Sequence, residues 1–290
     1  MIIFKPESKY QATFLKIIKN NMTALEKLRN KNKELKYICI GLDTDINKIP
    51  GHLKNLKNPV LEFNKAMIKE TCNYAAAYKI NFAFYEKLGP AGFKIIKQTI
   101  DLIPQDILII GDAKRGDIGN TSKMYAEALF NFFNLDAITI NPYLGEDSVV
   151  PFLERDDKLV FLLALTSNPG AEDFEKLKLY NGQFLFQKVI EKVKDWNKKN
   201  NCGIVFGATK IEELKENISY FGNLPVLLPG VGAQGGNLEN VVAAFKENNK
   251  PDFIINISRS IIYKGIDKEF AKTAQNEIIN LNNSVKAILI

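Results

Sequence analysis

Short apolar segments alternate with amphipathic segments along most of the chain. The apolar segments have the length and β-branched composition of buried strands, and the segments between them carry apolar residues at helical spacing. Strands that alternate with helices build a parallel sheet, because each helix carries the chain back to the end where the previous strand began. Roughly eight such units are present, the number that closes a (β/α)8 barrel, so we predict an α/β fold of the TIM-barrel type. An open doubly wound sheet is the alternative.

The predicted strands are Tyr37 to Leu42, Ala75 to Ile80, Ile107 to Ile110, Ala137 to Ile140, Leu159 to Leu165, Gly203 to Phe206, Val226 to Leu228 and Phe253 to Ile257. The helical segments between them include Asn64 to Tyr74, Thr121 to Phe133, Phe184 to Lys199, Ile211 to Tyr220 and Leu238 to Asn248.

Residues 1–290 are predicted to form a single barrel domain, because no linker, low-complexity tract or internal repeat interrupts the alternation. With 46% hydrophobic residues, the chain can bury one large core. Residues 1–36 precede the first strand, and we expect them to form a helical extension packed on the barrel. Within this extension, Ser8 to Asn30 has an apolar helical side that would close the bottom of the barrel. That side consists of Phe14, Leu15, Ile18, Leu25 and Leu28.

The charge pattern argues against a nucleic-acid partner. The formal net charge is +6, but the lysines are interspersed with glutamates and asparagines, as on an ordinary solvated surface. The arginines form no basic stripe interleaved with aromatic residues. They are Arg29, Arg115, Arg155 and Arg259. We therefore expect no nucleic-acid binding.

Other features indicate a soluble cytoplasmic protein that uses no histidine chemistry. Cys39, Cys72 and Cys202 include no Cys-x-x-Cys pair, which is typical of reduced thiols. No apolar run approaches the roughly 20 residues that span a bilayer, and the N-terminus lacks a signal-peptide pattern. The only histidine is His52, in a turn-like segment, so catalysis must rely on lysine, aspartate and hydrogen-bond donors. We expect no membrane partner and no bound metal.

Two carboxylates and an ammonium follow the third predicted strand, at the barrel end where reactive groups lie. Asp112 and Lys114 are two residues apart, so on an extended strand they project to the same side, and Asp117 follows in the next turn. Helix capping could explain Asp117, Asn120 or Thr121, but not the charged pair on the strand. We therefore predict a functional Lys/Asp cluster with coupled titrations.

Other strand ends add polar groups to the same predicted edge. Asp43 follows the first strand. Its carboxylate could bind sugar hydroxyls or cap the next turn, and the sequence favours neither role. Lys79 lies at the end of the second strand, with Asn81 two residues later, and burying an ammonium there has no structural benefit. Thr166 and Ser167 follow the fifth strand and could bind a polar heterocycle, although they also suit an ordinary turn.

Glycines follow the seventh predicted strand and an arginine follows the eighth. Gly230, Gly232 and Gly235 match Gly-x-Gly-x-x-Gly, but the dinucleotide-binding fingerprint belongs after the first strand of a βαβ unit and requires an acidic ribose ligand. Backbone N–H groups after strand seven, together with the guanidinium of Arg259, instead indicate a phosphate cradle. The strand ends together predict a phosphorylated sugar or a mononucleotide as the ligand.

In combination these motifs resemble those of the orotidine 5′-phosphate decarboxylase family. Their residue sequence is similar to that of its second bacterial subgroup, which in turn resembles the apicomplexan form. The resemblance spans about Tyr37 to Lys264. It implies a cofactor-free conversion of orotidine 5′-monophosphate to uridine 5′-monophosphate, the last step of de novo pyrimidine synthesis, by a homodimer with shared active sites. The motifs are Gly41-Leu-Asp43, Lys79-x-Asn81, Asp112-x-Lys114-x-x-Asp117-Ile118-Gly-Asn-Thr121, Pro229-Gly-Val-Gly-Ala-Gln234 and Arg259.

The resemblance implies catalytic roles for four residues. Lys114 would donate a proton to C6 of the pyrimidine as carbon dioxide leaves. Asp112 would lie against the substrate carboxylate, and Lys79 would bridge that region and the ribose. Asp117 would act in the active site of the neighbouring subunit.

The resemblance also implies the substrate contacts. Asp43 would bind ribose hydroxyls, Ser167 or else Thr166 would bind the pyrimidine edge, and Gln234 and Arg259 would bind the phosphate. The remaining implied contacts are Asn81, Ile118, Thr121, Pro229 and Ser258, with Thr121 acting in the partner's site. The loop of Gln234 and the segment after Ser167 are candidate lids.

Two other functions remain open at this point. One is a Mg²⁺-dependent sugar-phosphate decarboxylase, aldolase or epimerase of the same barrel superfamily, although those relatives typically carry an acidic residue where this chain has Lys79. The other is a non-catalytic barrel that binds a nucleotide.

Overall fold

Eight parallel strands close into a barrel in chain order. The computed structural model describes residues 22–232 and 235–290. The strands are β1 (Ile38–Gly41), β2 (Ala77–Asn81), β3 (Leu108–Arg115), β4 (Ala137–Ile140), β5 (Leu159–Leu165), β6 (Cys202–Phe206), β7 (Val226–Leu228) and β8 (Phe253–Ile257). Because β8 pairs with β1, the sheet has no open edge, so the predicted TIM barrel is confirmed and the open doubly wound sheet is wrong.

One helix precedes the first strand, and helices follow every strand and form the outer layer. They are α1 (Ala24–Lys33), α2 (Pro59–Thr71), α3 (Ala83–Glu86), α4 (Pro90–Ile100), α5 (Gly119–Glu127), α6 (Glu146–Leu153), α7 (Leu185–Trp196), α8 (Ile211–Asn217), α9 (Leu238–Glu247), α10 (Arg259–Ile262) and α11 (Phe270–Leu289). Within the part of the chain that the structure describes, no helix is long and apolar enough to cross a membrane.

The segment boundaries differ most around the third strand. The apolar run that predicts this strand ends at Ile110, whereas β3 continues to Arg115 and therefore includes the first two charged residues of the cluster. The following helix begins at Gly119 rather than Thr121, and after Glu127 it continues as one π-helical turn that ends at Phe132. Apolar content underestimates β3 because Asp112 and Lys114, on its inward side, face a polar cavity rather than the core.

The barrel interior is filled by residues that alternate along each strand. On β3, Leu108 and Ile110 point inward, and Phe161 of β5 and Ile254 of β8 meet them in one apolar cluster. A second, larger cluster lies between the strands and the helices. The next inward position on β3 after Ile110 is Asp112, so the apolar interior ends where the charged cluster begins.

The N-terminal end of the barrel is covered by α1. Leu28 of this helix joins the interior cluster. Three ion pairs tie the helix to the segments that precede strands: Lys27 to Asp136 at 2.7 Å, Arg29 to Asp252 at 2.7 Å and Lys31 to Asp106 at 2.9 Å. Because α1 closes this end, the described residues leave the interior open to a ligand from the opposite, C-terminal end. The predicted helix residues Phe14, Leu15 and Ile18 lie outside the described residues.

Candidate active site

A cavity of about 250 Å³ opens at the C-terminal end of the barrel. The last inward-facing residues of the strands and the loops that follow them form its walls. It brings together most of the side chains that the sequence places at strand ends. These are Asp43, Lys79, Asn81, Asp112, Lys114, Thr166, Ser167 and Pro229.

Three charged side chains form a connected array in this cavity. Asp112 Oδ2 lies 2.7 Å from Lys79 Nζ, and Asp112 Oδ1 lies 2.5 Å from Lys114 Nζ. Lys79 Nζ also lies 3.7 Å from Asp43 Oδ1. Asp112 and Lys79 are 9% and 5% exposed, whereas the Lys114 side chain is 50% exposed. Asp112 and Lys79 are therefore fixed inside the barrel, and the Lys114 ammonium projects toward the cavity opening.

The array keeps its buried members ionised. Burial alone would raise the pKa of Asp112, but the ammonium groups of Lys79 and Lys114 outweigh this effect and hold that pKa well below its usual range. Burial would likewise lower the pKa of Lys79, but the carboxylates of Asp112 and Asp43 outweigh it and raise that pKa. Each buried charge is thus stabilised by the opposite charges beside it.

The cavity also contains residues that sequence reasoning does not single out. Thr139 lies at the end of β4, and its hydroxyl donates a hydrogen bond of 2.9 Å to Asp112 Oδ1. Asn256 ends the inward row of β8, and its buried side-chain oxygen accepts no hydrogen bond within the described residues. Both residues could have been found from the sequence, because each is the last inward-facing polar residue of a predicted strand. The remaining wall is lined by Leu163, Val205 and Leu227. These are apolar strand residues, so nothing in the sequence distinguishes them from the core.

Thr166 is held by a residue of the segment between β5 and α7. Its backbone N–H donates to Glu175 Oε2 at 2.6 Å, and its hydroxyl lies within 2.9 Å of Glu175 Oε1. The Thr166 hydroxyl also lies 2.7 Å from Asn168 Oδ1, so it is engaged within its own segment. The segment after Ser167 packs onto the strand end through Glu175.

The predicted site residues Asp117, Ile118 and Thr121 lie outside the cavity of their own chain. Asp117 accepts a hydrogen bond from the N–H of Ile118 at 2.8 Å, and the Ile118 side chain is exposed. Thr121 is exposed on the first turns of α5. A single chain thus does not bring these three residues to the Lys/Asp array.

The glycine-rich segment after β7 lies beside the start of α10. Gly230 and Gly232 have φ values of 97° and 81°, a backbone region that residues with a side chain rarely adopt. A Cβ atom on Gly232 would lie 3.3 Å from Ser260 Oγ, so the two segments approach closely. Arg259 is exposed next to this approach, and neither it nor Ser258 lines the cavity. Gln234 lies outside the described residues.

Comparisons with known proteins agree with this geometry. The chain is 48% identical to orotidine 5′-phosphate decarboxylase of Herpetosiphon aurantiacus over 82% of this chain and 88% of that protein. It is 45% identical to the enzyme of the same name from Christiangramia forsetii, over 92% and 99%. A solved structure of a putative orotidine-monophosphate-decarboxylase from Toxoplasma gondii superposes with a TM-score of 0.80 at 30% identity, over 93% and 98%. The model of the "Orotidine 5'-phosphate decarboxylase / HUMPS family" matches residues 36–274, and the chain belongs to that family.

Proposed function

We propose that this chain catalyses the decarboxylation of orotidine 5′-monophosphate to uridine 5′-monophosphate without a cofactor, as the last step of de novo pyrimidine synthesis. The observation that carries the proposal is the array of Lys79, Asp112 and Lys114 at the C-terminal end of the barrel. The reaction is the one for which the relatives at 42–48% identity are named.

Lys114 supplies the proton. When the bond between C6 and the carboxylate breaks, carbon dioxide leaves and the electron pair stays on C6, where a vinylic carbanion is poorly delocalised. An ammonium fixed at that carbon stabilises the developing charge and then donates its proton to C6. Because the Lys114 side chain is half exposed, the resulting amine regains its proton from solvent.

Asp112 and Lys79 organise the reacting end of the substrate. Asp112 contacts both lysine ammonium groups through its two carboxylate oxygens, so it holds Lys114 Nζ on the cavity side of β3. In the proposed complex Asp112 lies against the substrate carboxylate. Lys79, between Asp112 and Asp43, bridges this region and the ribose, whose hydroxyls bind Asp43.

The phosphate is proposed to bind beyond the Pro229 side of the cavity, between the glycine-rich segment after β7 and the start of α10. The N–H groups of the glycine-rich segment after β7 and the Arg259 guanidinium are the donors suited to a phosphate. Gln234 and Ser258 belong to the same two segments, and Pro229 begins the first of them. Binding energy from a phosphate far from C6 can order these segments, so Arg259 and Gln234 affect the rate as well as the affinity.

The active site is proposed to be shared within a homodimer, with Asp117, Ile118 and Thr121 acting in the partner's cavity. These residues lie outside the cavity of their own chain. Exposed apolar side chains lie just before and on α5, on α6, and on the loop between β4 and α6. Because α6 packs against α5, these side chains share one side of the molecule, and their composition suits a buried interface. The side chains are Ile118, Met124, Tyr143, Leu144 and Val150.

The shared site is tested by mixing two inactive variants. Asp117→Asn protomers lack the carboxylate that would act in the partner's cavity. Lys114→Ala protomers lack the proton donor of their own cavity. A mixed dimer holds one cavity with both residues intact, so activity reappears as subunits exchange. If subunit exchange is demonstrated and no activity returns, the assignment of Asp117 to the partner's site is wrong.

We also propose that the chain works as a single barrel domain in the cytoplasm. Support for the location comes from the cysteines, since Cys39, Cys72 and Cys202 are all free thiols.

The direct test is the loss of absorbance from orotidine 5′-monophosphate, measured before and after exhaustive treatment with EDTA. Turnover that survives EDTA is the expected result. Activity that disappears and returns with Mg²⁺ would instead support the metal-dependent relatives, in which carboxylates hold the ion; here the Lys79 ammonium lies between Asp43 and Asp112. Absence of turnover in the wild type, with retained nucleotide binding, would support a non-catalytic barrel.

A further inference from the structure

We propose that Thr139 is a positioning residue for this reaction, because its hydroxyl sets the orientation of Asp112 and of the Lys114 backbone at the same time. The proposal rests on the function proposed above. Thr139 is on β4, the strand next to the one that carries the charged pair, and it is 2% exposed at the wall of the cavity.

The hydrogen bonds of Thr139 have only one consistent direction. The backbone N–H of Lys114 donates to Thr139 Oγ1 at 3.1 Å, and Thr139 Oγ1 donates to Asp112 Oδ1 at 2.9 Å. An N–H group can only donate and an ionised carboxylate can only accept, so the hydroxyl must accept from the first and donate to the second. One hydroxyl thereby connects the main chain of the proton donor to the side chain of its neighbour.

The Lys114 backbone needs such a contact. Its φ of 47° lies in the left-handed region, which is unfavourable for a residue with a Cβ atom. The pairing of β3 with β4 shifts register between Gly111 and Arg115, so the regular ladder is interrupted at this residue. The Lys114 N–H donates to the Thr139 side chain there instead of to a strand carbonyl.

Asp112 also depends on Thr139 during the reaction. Lys79 donates to Oδ2, whereas Lys114 and Thr139 both donate to Oδ1. Once Lys114 gives its proton to C6, its charge-assisted bond to Asp112 weakens, since the amine is neutral. The Thr139 hydroxyl keeps its proton, so it holds Oδ1 in place until Lys114 is protonated again.

The test compares Thr139→Val, which removes the hydroxyl and keeps the branched shape, with Thr139→Ser, which keeps the hydroxyl. For the valine variant we expect kcat to fall by about 10- to 100-fold, the loss of one hydrogen bond to a charged group. KM and the affinity for uridine 5′-monophosphate should stay within about threefold, because the hydroxyl acts on Asp112 and Lys114 rather than on the nucleotide. The serine variant should restore kcat to within about threefold of wild type.

Thr71→Val is the matched control for loss of a buried hydroxyl. Thr71 is fully buried at the C-terminal end of α2, where its hydroxyl bonds to Met67 O at 2.6 Å, and it does not line the cavity. This variant should lose thermal stability but keep its kcat. An effect on kcat that is specific to Thr139 and absent at Thr71 separates positioning from general destabilisation.

The proposal fails if Thr139→Val keeps a kcat within threefold of wild type, or if Thr139→Ser loses as much as the valine variant. Thr139→Ala is judged by the same criterion if the valine variant does not fold, and if neither folds the hydroxyl is structural and the proposal is wrong. A wild-type protein without turnover refutes the proposed function, whereas an active wild type with an equally active valine variant refutes only the role of Thr139.

Discussion

Replacing Lys114 by alanine should separate catalysis from folding. The side chain is half exposed, so its ion pair with Asp112 is partly screened by solvent. After the substitution Asp112 still receives hydrogen bonds from Lys79 and Thr139, and no buried charge is left without a partner. A pair of this exposure contributes about 0.2–1 kcal/mol, so we expect the free energy of unfolding to fall by about 1 kcal/mol or less.

The catalytic loss should be much larger, because the same substitution removes two effects. Loss of a positioned proton donor costs about 10²- to 10⁴-fold in rate. Loss of the cation at the carbon where negative charge develops costs about 10²- to 10³-fold more. Together these give a fall in kcat of about 10⁴- to 10⁷-fold, which corresponds to about 5–10 kcal/mol of transition-state stabilisation.

Lys87→Ala provides a matched control in the same assay. The Lys87 side chain is 45% exposed, and its ammonium pairs with Asp45 at 3.5 Å, so it resembles Lys114 in exposure and in having a carboxylate partner. It does not line the cavity. Turnover of orotidine 5′-monophosphate should stay within about threefold of wild type in this control, with a similar small change in stability.

Two results would refute the reasoning about Lys114. A Lys114→Ala variant that keeps more than about 1% of the wild-type kcat would show that another group donates the proton. A loss of more than about 3 kcal/mol of unfolding free energy would show that Lys114 is a structural counter-ion for Asp112, since losses of that size are typical of broken buried pairs.

Three further predictions use other parts of the site. Asp112 has a lowered pKa and Lys79 a raised one, so in urea unfolding the stability that Asp112 contributes should be lost below about pH 4, and that of Lys79 above about pH 10. Asp112→Asn should show a smaller acid-side loss than the wild type, and an equal loss contradicts this. Lys79→Met should lower the unfolding free energy by about 3 kcal/mol, because Asp43 and Asp112 lose their shared buried counter-ion, and a loss below about 1 kcal/mol contradicts it. Arg259→Ala should raise KM by about tenfold or more at unchanged thermal stability, and an unchanged KM would remove Arg259 from the phosphate site.

The fold could be predicted from the sequence because its periodicity is local. Each buried strand appears as a short apolar run, and β4, β5, β7 and β8 have the predicted ends. The same periodicity explains why the sequence alone locates the candidate site. In a parallel barrel the C-terminal strand ends share one rim, so charged residues directly after apolar runs meet in space, as Lys79 and Asp112 do.

What could not be predicted depends on contacts between strands that are distant in sequence. Thr139 is significant only because its hydroxyl lies beside Asp112, and this follows from the pairing of β3 with β4. The left-handed backbone of Lys114 has no local sequence signal, since lysine has no preference for that conformation. Register and backbone strain are set by the assembled barrel, so a pattern along one strand does not contain them.

The segment from Asp112 to Thr121 divides into two parts on physical grounds. Its first part belongs to β3 and ends the inward row of that strand, which explains why Asp112 reaches the cavity. Its second part could have been explained by helix capping, but α5 begins at Gly119 without a side-chain cap, and the Asp117 carboxylate accepts only from the adjacent Ile118 N–H among the hydrogen bonds of the described chain. Helix capping therefore does not account for Asp117, which leaves its carboxylate available for the role in the partner's cavity that is proposed above and that the mixing of Asp117→Asn with Lys114→Ala protomers tests.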